Sequence, residues 1–361
     1  MSKRAGPALG FLALLLTAAA AAVRGESQPV ARKVAEFSAD KDISALTFCP
    51  DGQCLAAKGQ SAPLVYVCSL AHSSCTVFAT TDGESLGILD KAALKYSPDG
   101  RLLALVHDWA TMTTHPVQSV VHIWSVASGQ LVHVIGDSQW GSTYPSLEFS
   151  PDGRSLLRLY QRSDRTPGDQ VVAFSTSDWQ PVWGLRTLPF QPQALALSPD
   201  GRTAALGGIE FGAPRATISI VNTATHKTAL KIDAFPGPPE FEEISWSPDG
   251  AHIAAGVSPF GDQLHVDTLK VFDVSTGKVV ASAAAPDEAL YGIKYARGGK
   301  YLIEDGTSGV VSIWDSSLKH VMQQINVGRA LNIARGPLAV SRDGRLFAIA
   351  AGPSISVWEL R

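Results

Sequence analysis

Apolar and polar residues alternate in short runs along almost the whole chain, and the runs recur in a fixed order. Seven of them read as strands of period two, at 45–48, 93–96, 146–149, 194–197, 244–246, 292–295 and 338–340. Each leads into a four-residue phrase. It is C-P-D-G at 49–52, S-P-D-G at 97–100, 150–153, 198–201 and 247–250, A-R-G-G at 296–299 and S-R-D-G at 341–344. Pro presets φ, Asp bonds its own backbone and Gly takes a positive φ, so the phrase predicts a tight turn. A small-residue strand follows, as at 102–106 and 253–257, and then a variable loop. Beyond the loop lies a third run rich in Val, Ile and aromatics, as at 121–124, 218–221, 311–314 and 355–358. A second turn, such as 125–129 or 273–277, leads to a fourth run, as at 131–135 and 278–282.

The phrases recur every 45 to 53 residues, and a unit of that size cannot bury its apolar face without neighbours. Four antiparallel strands per unit make a propeller blade, so the fold class is all-β, a single seven-bladed β-propeller over residues 26–361. The last unit ends at Arg361, after its third strand. Its fourth strand is expected from 31–37, which precedes the first unit and has no other assignment. Pairing the two ends closes the ring and leaves no open sheet edge between first and last blade.

These residues resemble the WD-repeat family and its bacterial relatives, the TolB-type and YVTN propellers. The resemblance rests on the order F-S-P-D-G-x-x-L-A, then I-W-D, then T-G, present in parts at 149–157, 271–278 and 313–315. It spans essentially the chain after the N-terminal segment and implies the propeller fold. The Gly-His pair that opens typical WD repeats is absent from the interblade segments, and Trp-Asp is complete only at Trp314 and Asp315. An exported bacterial-type propeller is therefore the nearer likeness.

Composition narrows the function classes. Charged residues make up 17% and hydrophobic ones 45%, with 32 Gly and 22 Pro, which suits short buried strands joined by tight turns. A net charge of −3 gives no electrostatic footprint for nucleic acid, and no such partner is expected. At the N-terminus, Lys3 and Arg4 precede an apolar run over 10–23 and then small residues. That is the layout of a secretory signal over 1–25, with cleavage between about 20 and 25. The run is shorter than the roughly 20 residues of a membrane span. The mature chain is thus expected without a span, in a periplasmic or secreted location.

All four cysteines, Cys49, Cys54, Cys68 and Cys75, fall in the first blade, one per predicted strand. Cys49 and Cys54 flank the first turn and Cys68 and Cys75 the second, so each pair is opposed across a hairpin, within disulfide reach. Pairing Cys49 with Cys54 and Cys68 with Cys75 uses all four thiols. Pairing Cys54 with Cys68 would leave the outer two about three strand spacings apart. A four-thiolate zinc site and reduced thiols are the alternatives, and a flat row of sulfurs suits a tetrahedral ion poorly.

On a propeller the first and third turns of each blade share one face, here the P-D-G face. The second-to-third loops and the interblade segments share the other. That loop face carries the irregular lengths, at 107–118, 161–169, 208–215 and 258–266 within blades, and at 81–90, 137–145, 235–243 and 328–336 between them. Long loops on a rigid scaffold are where binding is usually placed. Candidate contacts are Trp109, Trp140, Tyr144, Arg215, Phe241, Glu243, Tyr291 and Arg335. The aromatic ones serve either ligand contact or the packing of their own loops, and the arginines serve either an anionic ligand or salt bridges. Glu240, Glu242 and Glu243 read as an acidic rim, with Glu243 placed to turn into the central channel. His107, Asp108 and His115 lie close in sequence but show no third convergent metal ligand. No haem-attachment, nucleophile-elbow, zinc-protease, P-loop or dinucleotide motif occurs, and no cofactor is expected. The expected activity is non-catalytic binding of a protein, peptide or cell-envelope component through the loop face. A propeller enzyme with its site in the central funnel, a lactonase-like hydrolase or a quinone- or metal-dependent oxidoreductase, is the alternative.

Overall fold

Seven four-stranded antiparallel sheets follow one another along the chain, six of them hydrogen-bonded in sequence order from the channel outward. The computed structural model describes residues 29–60, 64–80, 91–111, 114–137, 146–160, 169–186, 189–212, 215–237, 240–258, 268–285, 290–328 and 337–361. Blade 1 runs Ile43–Phe48, Cys54–Gly59, Leu64–Ser69 and Ser74–Thr80, and blade 2 runs Lys91–Tyr96, Leu102–Thr111, Thr114–Ser125 and Leu131–Asp137. Blade 3 comprises Leu147–Phe149, Ser155–Leu159, Asp169–Ser175 and Pro181–Arg186, and blade 4 Phe190–Leu197, Thr203–Glu210, Arg215–Asn222 and Thr228–Pro236. Blade 5 is built from Glu240–Trp246, His252–Ser258, Leu269–Asp273 and Val279–Ala283. Blade 6 follows with Leu290–Ala296, Tyr301–Gly306, Val310–Asp315 and Val321–Asn326.

Blade 7 takes three strands from the C-terminus, Leu338–Val340, Leu346–Ala351 and Ser354–Leu360, and its outermost strand, Ala31–Ser38, from the N-terminal side. Ala31 pairs with Leu360 and Phe37 with Ile355, with one bulge between Lys33 and Ala35. The expected ring closure is the observed one. Seven apolar clusters fill the seven interblade junctions. Phe37 from the closing strand joins Phe48, Leu55 and Val357 in the cluster between blades 7 and 1.

The repeated phrase is a hydrogen-bonded turn with a fixed wiring. In blade 2, Ser97 Oγ donates to Asp99 Oδ1 at 2.6 Å and accepts from the Leu102 N–H at 2.9 Å, while Asp99 Oδ1 accepts from the Arg101 N–H. The same bonds recur from Ser198, Ser247 and Ser341. Gly100 closes the turn at a φ of +73°. Each proline also packs on the glycine of the next blade, as Pro50 does on Gly100 and Pro248 on Gly299. In blade 1 the serine is replaced by Cys49, whose sulfur accepts from the Cys54 N–H at 2.7 Å and is bridged to Cys54. Cys68 stands directly opposite Cys75 and is bridged to it. Both expected disulfides are present, on the P-D-G end of one blade, and no free cysteine remains.

Three stretches expected as loops are wholly or partly strand, among them 235–243, which falls in the strands Thr228–Pro236 and Glu240–Trp246 except at 237–239. In blade 2 the second and third strands run on to Thr111 and Thr114, so the expected loop at 107–118 is a β-ribbon. The predicted loop at 208–215 shrinks because strand pairing continues to Ile209 opposite Ala216. A side chain at Gly208 would overlap the Gln191 carbonyl, so the close strand approach there requires glycine. Among the described residues no helix is long and apolar enough to cross a membrane.

Candidate functional site

The innermost strands of all seven blades surround a central cavity of about 390 Å³. Their inner edges have no further strand to pair with, so their backbone groups need other partners. Side chains from the preceding blade supply several of them. Gln193 Oε1 accepts from the Phe241 N–H at 3.0 Å, Glu243 Oε2 from the Ile293 N–H at 3.1 Å, and Ser245 Oγ from the Tyr295 N–H at 3.0 Å. Trp246 Nε1 donates back to the Ala196 carbonyl at 3.1 Å. Each bond ties one blade to its neighbour at the channel wall.

Four of the charged groups in the channel are arranged in pairs. Lys95 Nζ bonds Glu148 Oε1 at 2.7 Å across blades 2 and 3, and Lys294 Nζ bonds Glu243 Oε1 across blades 6 and 5. Burial works against the charged form of Lys95. Glu148, through its charge and hydrogen bond, and Glu243, through its charge, outweigh that and hold the ammonium above the ordinary lysine range. The four groups form one compensated set.

Glu243 is thus in the channel, as its place at the start of an innermost strand implied, and Tyr291 lines the same cavity. Phe241 is elsewhere. Its ring is fully buried and meets Phe235 edge-on at 5.9 Å, so it anchors the junction between blades 4 and 5 from inside. Arg215 is exposed on the loop face and already held by carboxylates, Asp233 at 3.0 Å and Glu210 at 3.9 Å, with Lys231 also on Glu210. Trp109 lies on the blade 2 ribbon opposite Gln118. His107 and Asp108 lie on the same ribbon, opposite Val120 and Ser119. Trp140, Tyr144 and Arg335 lie outside the described residues.

Sequence reasoning missed Lys95, Glu148, Lys294 and Gln193 as channel residues. A signal was present: Lys95, Glu148 and Lys294 each stand two residues before the repeated phrase, a position that faces the channel wall in blade after blade. It missed also that Lys58, Arg158, Glu304 and Asp305 are buried. Trp314 Nε1 donates to Glu304 at 3.4 Å, and Arg158 stacks on the Tyr160 ring at 4.2 Å. Among the described residues the one group of three metal-ligating side chains in mutual reach is Cys49, Asp51 and Cys54, and two of those sulfurs are bridged to each other.

No protein-family model matches the chain, and no curated protein matches it significantly. The seven-bladed propeller therefore stands on the sheet topology itself.

Proposed function

We propose that this propeller is an exported, non-catalytic binding scaffold that engages a protein, peptide or cell-envelope component through its loop face. One observation carries the reading. The blade 2 ribbon has strands of 10 and 12 residues where the matching strands of blade 1 have six each. The extension stands on the loop face, while the P-D-G face keeps its turn in six of the seven blades. Channel chemistry supports the same reading, because its lysines are paired with glutamates and several polar groups are used on neighbouring backbone. A general acid or base works best when its pKa is brought near neutrality, and Lys95 is pushed the other way. Two disulfides suit an oxidising compartment.

Shortening the ribbon tests the proposal. Replacing 109–118 by a two-residue Asn-Gly turn keeps the inner part of the hairpin up to the Asp108–Ser119 pair. The mature protein should capture a defined partner from an envelope extract, and the shortened form should lose it while melting at the same temperature. Equal capture by both forms would place binding elsewhere. Capture lost instead on Glu243→Gln, with the ribbon intact, would favour the funnel and hence the enzyme alternative.

A further inference from the structure

One phrase of the seven lacks both its serine and its aspartate. Blade 6 reads A-R-G-G at 296–299. The arginine has a packing reason, since the Arg297 N–H donates to the Gly344 carbonyl at 2.8 Å, a bond proline cannot make. Gly298 has a conformational reason, since its φ of +64° favours glycine, but no steric one: a Cβ there would meet nothing within 4 Å. Where every other blade carries an aspartate, blade 6 leaves space. The result is a cavity of about 340 Å³ between blades 5 and 6, open on the P-D-G face.

Polar groups line it, two of them at positions that some other blades fill with apolar ones. Tyr295 holds the place of Phe48 and Phe149, though blade 2 also has a tyrosine there, Tyr96. His252 holds the place of Leu102 and Leu346, where other blades carry Cys54, Ser155, Thr203 and Tyr301. Burial, with the charge of Asp249, pushes the Tyr295 phenol well above its usual range, so it stays protonated and donates. Asp249 is held below the usual carboxylate range, chiefly by the Ser247 hydroxyl and then by the Ala251 N–H. Both bonds go to Oδ1, at 2.5 and 3.0 Å, which leaves Oδ2 as an acceptor. Val271, Val280 and Ala281 form an apolar wall.

We propose that this cavity binds a saccharide unit. Vicinal hydroxyls both donate and accept, and the Asp249 carboxylate and the Tyr295 hydroxyl offer both partners. The apolar wall suits the C–H face of a sugar ring. No lysine or arginine lines the cavity, so it is not built for an anion. A simple cation would use the carboxylate alone and leave the Tyr295 hydroxyl and the wall idle.

Two substitutions test this with little risk to the fold, because each installs a residue that another blade carries at the same position: His252→Leu and Tyr295→Phe. Saturation-transfer NMR is run on the intact protein with glucose, galactose, mannose and N-acetylglucosamine. At least one sugar should receive saturation from the wild type, and each variant should weaken binding by about tenfold, as expected for one lost hydrogen-bonding group. The proposal is overturned if no sugar of the four receives saturation, or if the variants bind as the wild type does. Should a variant melt early, the His252 ring resonances of the wild type decide. A shift on adding the binding sugar supports the site, and no shift overturns it.

Discussion

Ring closure by the N-terminal strand makes the strongest quantitative claim, and Phe37→Ala tests it. Phe37 is 4% exposed and joins the cluster between blades 7 and 1. Its ring is the largest apolar group that the closing strand contributes. Truncating a buried phenylalanine to alanine costs about 3–5 kcal/mol, from lost transfer energy and the cavity left behind. Unfolding entropy of about 2.1 cal/mol/K per residue makes a chain of this length lose roughly 1–2 °C per kcal/mol. The expected fall in Tm is therefore about 4–8 °C. Val34 on the same strand is 41% exposed, and Val34→Ala should stay within about 0.5 kcal/mol of the parent. Removing residues 26–39 deletes the strand with all its pairings and should destabilise the whole mature ring. Calorimetry at two scan rates is the assay, because irreversible unfolding, common in large chains, makes Tm depend on scan rate. If Phe37→Ala melts within 1 °C of the parent, or no lower than Val34→Ala, the strand does not hold the ring and the closure argument fails.

Alkylation followed by intact mass should find no free thiol before reduction and four after it. Replacing Cys68 and Cys75 together by serine should cost about 2 kcal/mol for the short loop they close. The turn aspartates Asp99, Asp152, Asp200 and Asp249 are held below the usual range, first by their serine hydroxyls and then by backbone N–H groups. A carboxylate with a lowered folded pKa contributes stability that is present above its unfolded value and lost as pH falls through the folded one. Denaturant midpoints should thus drop progressively below about pH 4. Ser97→Ala should weaken that acid dependence and cost about 1–2 kcal/mol at neutral pH by leaving the Leu102 N–H without its acceptor. Lys95 runs the other way. Its raised folded pKa gives stability that is present below the ordinary lysine value and lost as pH rises through the folded one. Melting temperatures between about pH 9 and 12 should therefore fall less steeply for Glu148→Gln than for the parent.

Fold and site differ in how far they could be read from the residues, and the difference is physical. A turn that needs Pro, Asp and Gly at fixed offsets writes itself into the chain locally, so seven turns, four disulfide positions and the closing strand were all legible before any coordinates. Loop extents were not. The run 107–118 carries His, Asp, Pro and Gln and lacks clean alternation, yet it pairs as a ribbon because the two strands before it are already in register. Phe241 shows how the repeat itself corrects such a reading. Flanked by Glu240 and Glu242, it looks like part of an acidic rim, but it stands six residues before the phrase, as Ile43 and Leu290 do, and all three are buried. Position relative to the turn outweighs local composition, since the turn fixes which way each inner-strand side chain points. Applied to the P-D-G phrase, the same rule gives its failures meaning. Where blade 6 omits the aspartate, in a turn whose glycine takes a φ of +64°, and blade 5 supplies Asp249 and His252 beside the gap, the departure leaves a cavity. Repetition is what makes that departure visible, and it is how the regular face comes to offer a second candidate site.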